Sequence, residues 1–170
     1  MSNKNNDKDP GDASATSEAF GGDDDLTASL TGRARARAVA LQALYELDAT
    51  AHDLQTVIQR RLDSDGTPEA EATYASHLIQ GVQANRDEID DLIHRAAPAW
   101  PLDQMSRVDK SILRVAIFEM LYEPGLSAKV AINEAVELAK LFGHDSSPKF
   151  VNGVLGTIER KQRDERKRDL

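Results

Sequence analysis

The sequence predicts an all-α fold, a compact bundle of about seven helices arranged in two helical lobes. Apolar residues recur at helical spacing through the body of the chain, whereas alternating strand patterns and hairpin turn pairs are missing. Proline and glycine separate the periodic segments, at Pro68, Pro98 to Pro101, Pro124-Gly125 and Gly143. These limits predict helices at about 33–49, 53–63, 68–84, 86–96, 103–122, 129–142 and 147–160.

The two ends of the chain differ from the body in composition. Residues 1–30 contain seven acidic side chains against two lysines and show no apolar period, which predicts a disordered acidic tail. Residues 161–170 are almost wholly charged, which predicts a frayed helix or charged tail, and a solvated terminus is favoured there over an RNA-binding arm. The helical domain is therefore expected at residues 31–160.

The composition argues against several functional classes. The chain has no cysteine, so disulfides, thiolate metal sites and cysteine nucleophiles are excluded. The four histidines lie far apart, and no phosphate-binding loop, dinucleotide-binding turn or nucleophile elbow occurs. We therefore expect no enzymatic activity, no metal, no cofactor and no small-molecule substrate. The sequence also lacks a membrane-length apolar run and a signal peptide, which predicts a cytoplasmic protein without membrane contact.

The net charge of −8 argues against a nucleic-acid partner, but its distribution is uneven. The first thirty residues carry −5 of this charge and the rest of the chain −3, which is compatible with a local basic patch. Arg33, Arg35 and Arg37 open the first predicted helix, and a helical wheel places Arg33 and Arg37 on its apolar side. Because an unpaired charge is costly to bury, this turn either projects beyond the core or pairs with acidic neighbours. Spacing alone does not decide between the two.

The predicted helix 103–122 carries a second misplaced charge. Asp109 projects toward the apolar side of this helix, where it either forms an internal pair, which the sequence favours, or marks a face left uncovered for another protein. A basic stripe on the same helix is expected to be a solvated face, and it consists of Arg107, Lys110 and Arg114.

The last predicted helix contains two interior glycines, Gly153 and Gly156. Each costs about 1 kcal/mol relative to alanine, so a reason is expected, and close packing of another helix is favoured over approach of a ligand backbone. Tyr45 and Phe150 each lie at the edge of an apolar face, where the ring is either core or a stacking platform.

Three segments together resemble the NusB family. They are RARARAVALQALY at Arg33–Tyr45, RVDKSILRVAIFEML at Arg107–Leu121 and VAINEAVELAKLFGHDSSPKFVNGVL at Val130–Leu155. The similarity covers residues 31–160 and is most specific in the third segment, whereas the acidic N-terminal tail is not part of the family pattern.

The resemblance implies a transcription antitermination factor that binds boxA-type single-stranded RNA together with NusE, a ribosomal small-subunit protein, in the RNA polymerase antitermination complex. It implies RNA contacts for Arg33, Arg35, Arg37, Tyr45, Lys149 and Phe150, and partner contacts for Asp109, Phe118 and Tyr122. Arginine charge and aromatic stacking are suited to single-stranded RNA. Some relatives have a denser arginine cluster, whereas Ala34 and Ala36 separate the arginines of this chain.

Two rival functions fit the same residues. The same fold occurs as the RNA-binding domain of ribosomal RNA cytosine methyltransferases, but such an enzyme needs a catalytic domain and cysteine that this chain lacks. A helical protein–protein adaptor without RNA binding has solvated arginines and an internally paired Asp109.

Overall fold

In the computed structural model, residues 23–63 and 66–170 are described. These residues form eight α-helices and one 3₁₀ turn, and no strand occurs among them. The helices are α1 (Asp23–Ser29), α2 (Gly32–Ala49), α3 (Leu54–Leu62), α4 (Glu69–Ala84), α5 (Arg86–Ala96), α6 (Arg107–Tyr122), α7 (Ala128–Phe142) and α8 (Ser147–Arg168). The all-α prediction is confirmed.

Side-chain caps fix where several helices begin. Ser106 accepts a hydrogen bond from the backbone N–H of Asp109 at 3.0 Å and starts α6. The helix predicted from residue 103 therefore starts at Arg107 instead, because Leu102–Gln104 form a separate 3₁₀ turn after Pro101. Asp53 caps α3 in the same way, by accepting from the N–H of Thr56 at 3.1 Å.

The prediction of a disordered tail over residues 1–30 is wrong for its last part, since α1 occupies Asp23–Ser29. Residues 1–22 lie outside the described residues. Leu30 packs against the core, and the Gln42 amide on α2 donates to the Thr27 hydroxyl of α1 at 3.1 Å. A short helix therefore covers the outer side of α2.

Of the two alternatives for residues 161–170, a frayed helix or a charged tail, the structure has the helix, because α8 continues without a break to Arg168. The Lys161 ammonium donates to the Arg95 carbonyl of α5 at 3.2 Å, which holds this part of α8 against its neighbour. The helix thus extends two turns beyond its predicted end.

Helix α6 occupies the centre of the bundle. Nine consecutive residues of α6, Ser111–Glu119, are buried. Helices α2 and α4 pack against α6, as do α7 and α8, so the two predicted lobes share one continuous hydrophobic core. In the described part of the chain, no helix has the length and apolar character needed to cross a bilayer.

Candidate nucleic-acid interface

Arg33 is the most accessible of the three arginines that open α2. Its side chain is exposed, and its guanidinium carbon lies 4.4 Å from the ring centroid of Tyr74 on α4. This cation–π contact orients the guanidinium on the surface without neutralising it. Arg33 therefore remains available to an anionic ligand.

Arg35 is held by contacts within the chain. Its guanidinium lies 3.1 Å from a carboxylate oxygen of Glu71 and donates to the Ala28 carbonyl of α1 at 3.1 Å. Glu71 also accepts from the Gly32 N–H at 2.6 Å. These contacts leave only 18 % of the Arg35 side chain exposed. The alternative in which an arginine pairs with an acidic neighbour is confirmed here.

Arg37 is buried inside the bundle. Its guanidinium donates two hydrogen bonds to the Glu119 carboxylate, at 2.8 and 2.9 Å, and Glu134 lies 3.5 Å away. The Tyr74 hydroxyl donates to the same Glu119 carboxylate at 2.6 Å. Arg37 is 5 % exposed and Glu119 is 1 % exposed. Of the two alternatives left open for the arginine turn, pairing with an acidic residue therefore holds for Arg37, and projection beyond the core does not.

Electrostatics agree with a charged pair at this buried position. Burial by itself would lower the pKa of Arg37, but the hydrogen bonds and charge of Glu119 outweigh it and raise the pKa. Burial, together with the hydrogen bond to Glu119, raises the pKa of Tyr74 far above its usual value. Arg37 is thus fully ionised, and Tyr74 stays protonated and donates to Glu119.

Lys149 and Phe150 lie in the first turn of α8, beside an aromatic residue that the sequence analysis missed. Lys149 is exposed, and the half-buried Phe150 ring meets the Trp100 ring edge-on at 6.3 Å and 73°. Trp100 is 55 % exposed, more than any Phe or Tyr in the described part of the chain. A cation beside an exposed ring and a half-buried one is an arrangement suited to single-stranded nucleic acid. The sequence contained a signal for this exposed ring: Trp100 lies between Pro98 and Pro101, outside every predicted helix, so no helix face would bury it.

The glycines of α8 are not explained by helix packing. A Cβ atom at Gly153 would meet nothing within 4 Å, and at Gly156 only the guanidinium of Arg160 on the same helix, at 3.4 Å. The favoured prediction of a closely packed neighbouring helix is therefore wrong. Both glycines leave the helix backbone accessible from outside.

Asp109 does not form the favoured internal pair. Its Oδ1 atom is buried and has no hydrogen-bond partner among the described residues. A buried carboxylate oxygen without a partner is costly, so a donor from outside the chain would be stabilised there. The alternative, a face left uncovered for another protein, stays a prediction, because this oxygen is itself buried.

Tyr45 lies on α2 beyond the arginine turn. It follows Arg33 by twelve residues, which corresponds to about 18 Å along α2. One turn further on, Asp48 contacts the Lys110 ammonium of α6 at 3.2 Å, immediately beside Asp109. The half-buried Tyr45 and Asp109 thus share one end of the bundle.

The basic stripe of α6 is only partly a solvated face, because two of its cations form ion pairs with Asp48. Lys110 and the buried Arg114 lie 3.2 and 3.6 Å from Asp48, and Arg86 donates to it at 2.8 Å. Burial alone would raise the pKa of Asp48, but the Lys110 hydrogen bond and the surrounding positive charges lower it. Arg107 retains an exposed side chain. The prediction of a solvated stripe is wrong for Lys110 and Arg114.

Phe118 and Tyr122, the weaker partner candidates, are placed differently from each other. Phe118 is buried in the core, which argues against a direct partner contact. Tyr122 is 39 % exposed, packs its ring 5.3 Å from that of Phe118, and donates to Glu88 at 2.5 Å. Neither residue lies near Asp109, because they follow it by nine and thirteen residues along α6, about 14 and 20 Å.

The predicted RNA residues do not form one group: apart from Tyr45, they fall into two. Arg33, Arg35 and Arg37 belong to the start of α2, whereas Lys149 and Phe150 belong to the start of α8. No hydrogen bond, ion pair or ring contact between described residues joins the two groups. A ligand that uses both must extend over the surface.

Comparison with known proteins gives consistent matches. The model of the NusB family matches residues 34–160. The transcription antitermination protein NusB of Herpetosiphon aurantiacus is 48 % identical over 136 residues, which cover 78 % of this chain and 93 % of that protein. NusB of a Roseiflexus species is 47 % identical over 137 residues, covering 79 % and 96 %.

Solved structures agree with the sequence matches. NusB of T. maritima superposes with a TM-score of 0.71 at 36 % identity and covers 76 % of this chain and 92 % of its own. A chain in the crystal structure of antitermination factors NusB and NusE in complex with dsRNA gives a TM-score of 0.69 at 23 % identity, covering 77 % and 99 %, and shows the shared fold.

The family match also bears on activity. The relatives named above are transcription antitermination proteins, so the prediction that the chain is not an enzyme is confirmed. Together, the matched range, the identity to these relatives and the shared fold assign the chain to a family. It belongs to the NusB family of transcription antitermination proteins.

Proposed function

We propose that this chain acts in transcription antitermination by binding a boxA-type single-stranded RNA together with NusE, within the RNA polymerase antitermination complex. The observation that carries the proposal is the family match over residues 34–160, in a helical body with exposed cationic and aromatic groups. A protein of the same fold has been crystallised with NusE and dsRNA, which supports RNA and NusE as the partners. The proposed location is the cytoplasm, where bacterial transcription takes place.

The RNA surface in this proposal has two parts. Arg33 supplies a phosphate contact at the start of α2, and Lys149 supplies another at the start of α8. Phe150 and Trp100 supply a stacking platform beside Lys149. Arg37 is left out because its guanidinium is already bound to Glu119 inside the bundle.

The first test is Trp100→Ala in a fluorescence anisotropy titration of labelled boxA-type RNA, with and without NusE, at low salt. Stacking on an aromatic side chain is worth about 1–3 kcal/mol per base, so we expect RNA affinity to fall about tenfold or more. Val130→Ala, which removes another exposed apolar side chain, is the matched control and should leave affinity unchanged. If the unmodified chain binds no RNA with or without NusE, the proposal is refuted in favour of a protein adaptor.

The proposed NusE surface centres on Asp109, with Tyr45 at the same end of the bundle. The Asp109 side chain is half-buried, and its carboxylate, whose Oδ1 has no partner among the described residues, is suited to accept a hydrogen bond or to pair with a positive charge from a protein. Tyr45 contributes to this surface rather than to the RNA surface, since it is half-buried beside the Asp48 cluster and far from Arg33.

The second test is Asp109→Asn, measured by calorimetric titration with NusE. We expect NusE affinity to fall about tenfold, because the charge-assisted contact is lost. The free energy of unfolding should fall by less than about 1 kcal/mol, because the substitution removes only the favourable charge in the first turn of α6. Asp87→Asn, an exposed Asp in the first turn of α5, controls for the helix effect. Unchanged NusE affinity with a large loss of stability would assign Asp109 to folding instead.

A further inference from the structure

Helix α8 carries a basic face that is interrupted between Lys149 and Arg160. At 3.6 residues per turn, four cationic side chains fall within about 40° of one line along the helix. All four are exposed, and they are Lys149, Arg160, Arg163 and Lys167. The line extends about 27 Å from the first to the last of them. This face continues beyond residue 160, where the family match ends.

The charges on this face are poorly neutralised. Arg160 donates to the Thr157 hydroxyl at 3.2 Å rather than to a carboxylate. Arg163 lies 3.7 Å from Glu159 in an exposed pair, which screens it weakly. Lys149 and Lys167 form no ion pair with any described residue. The face therefore presents a row of cations to an external anion.

Two further features point to nucleic acid. The exposed Trp100 ring and the Phe150 ring stand at the upstream end of the row. Gly153 and Gly156 lie on the same line, with no neighbouring element above them. A stacking platform followed by spaced cations and open helix backbone fits a single strand, whose bases stack and whose phosphates follow the charges. An acidic protein would not need the aromatic pair.

We infer that this basic face of α8 binds the phosphodiester backbone of RNA that lies outside the boxA-type element. The RNA leaves the Trp100–Phe150 pair and follows Lys149, Arg160, Arg163 and Lys167 toward the end of the helix. This inference rests on the proposed RNA-binding function and extends it to flanking nucleotides. It also gives the charged end of the chain, residues 161–168, a role in RNA binding.

The test compares three RNAs and two variants of the full chain. The short RNA contains the boxA-type element alone, and the two extended RNAs add about ten uridines at one end or at the other. The test variant is Arg163→Gln/Lys167→Gln. The control is Arg166→Gln/Arg168→Gln, which removes the same charge from other faces of the last turns of α8. All four side chains are exposed, so both variants should fold normally.

We expect the test variant to bind the extended RNA about tenfold more weakly at low salt, with a salt slope about 1.4 smaller, since single strands lose about 0.7 per phosphate contact. The short RNA should bind equally well to all proteins, and the control should bind all three RNAs normally. Equal losses for the two variants, or equal losses on short and extended RNA, would overturn the inference while leaving the proposed function intact. The inference would also be overturned if polyglutamate bound to this face and the extended RNA did not. Absence of any RNA binding by the unmodified chain would refute both.

Discussion

Replacing Arg37 with alanine is expected to lower the free energy of unfolding by about 3–5 kcal/mol, because it leaves the Glu119 carboxylate buried without its countercharge. Glu119 would keep only the Tyr74 hydroxyl as a close partner, and water does not reach it easily at 1 % exposure. Urea denaturation followed by circular dichroism measures the loss. Truncation of the long side chain adds a cavity to the same site.

Arg33→Ala is the matched control, since Arg33 lies one turn earlier on α2 but is exposed over Tyr74. It should cost no more than about 1 kcal/mol, the range of an exposed cation–π contact. It should weaken RNA binding, whereas Arg37→Ala should affect RNA binding only through loss of folded protein. The opposite pattern, a stable Arg37→Ala protein with weak RNA binding, would show that Arg37 contacts RNA directly.

The arginine turn shows what a helical wheel is able to predict. The wheel placed Arg37 on the apolar side of α2, which correctly indicated that its charge needs a partner if the side chain is buried. The charge of Arg37 is compensated by Glu119, which lies 82 residues further along the chain. Glu119 is itself the one acidic residue in the apolar second half of α6. The presence of one basic and one acidic residue on the apolar sides of two helices could therefore have predicted a buried ion pair. The helical wheel of α2 alone does not show which residue pairs with Arg37.

The helix at Asp23–Ser29 was missed, and the full length of α8 was left open, for a related reason. Helix α1 has too little apolar periodicity to be recognised among acidic residues, although Leu26 and Leu30 are one turn apart and Leu30 packs on the core. The last two turns of α8 consist of charged residues with high helix propensity, which continue a helix already started. Tertiary contacts and helix continuation, rather than local pattern, decided both segments.

The breakers and caps explain why the central helices were predicted well. Proline and glycine mark their limits in the sequence, and serine or aspartate caps lie just before three of them. The candidate site was less predictable, since accessibility depends on which neighbours cover a side chain. Arg35 and Arg37 form ion pairs with carboxylates of the same chain and are therefore not available to RNA. Trp100 was overlooked because it belongs to no helix.

Gly81 provides the second large effect, because its absent side chain makes room for a ring. A Cβ atom at this position of α4 would approach several atoms of the Phe118 ring, with Cε1 at 2.9 Å. The ring is buried and is held between His77 and Tyr122, with centroids 5.4 and 5.3 Å away, so it has little room to move. Overpacking should therefore exceed the gain of about 1 kcal/mol in helix propensity.

We expect Gly81→Ala to lower the free energy of unfolding by about 2–3 kcal/mol, measured by urea denaturation. Gly153→Ala is the matched control within a helix, and it should raise stability by about 1 kcal/mol because open space surrounds that position. Combining Gly81→Ala with Phe118→Leu should recover part of the loss, since a smaller side chain relieves the clash. If both glycine substitutions stabilise the protein equally, the close contact between α4 and the Phe118 ring does not exist in solution.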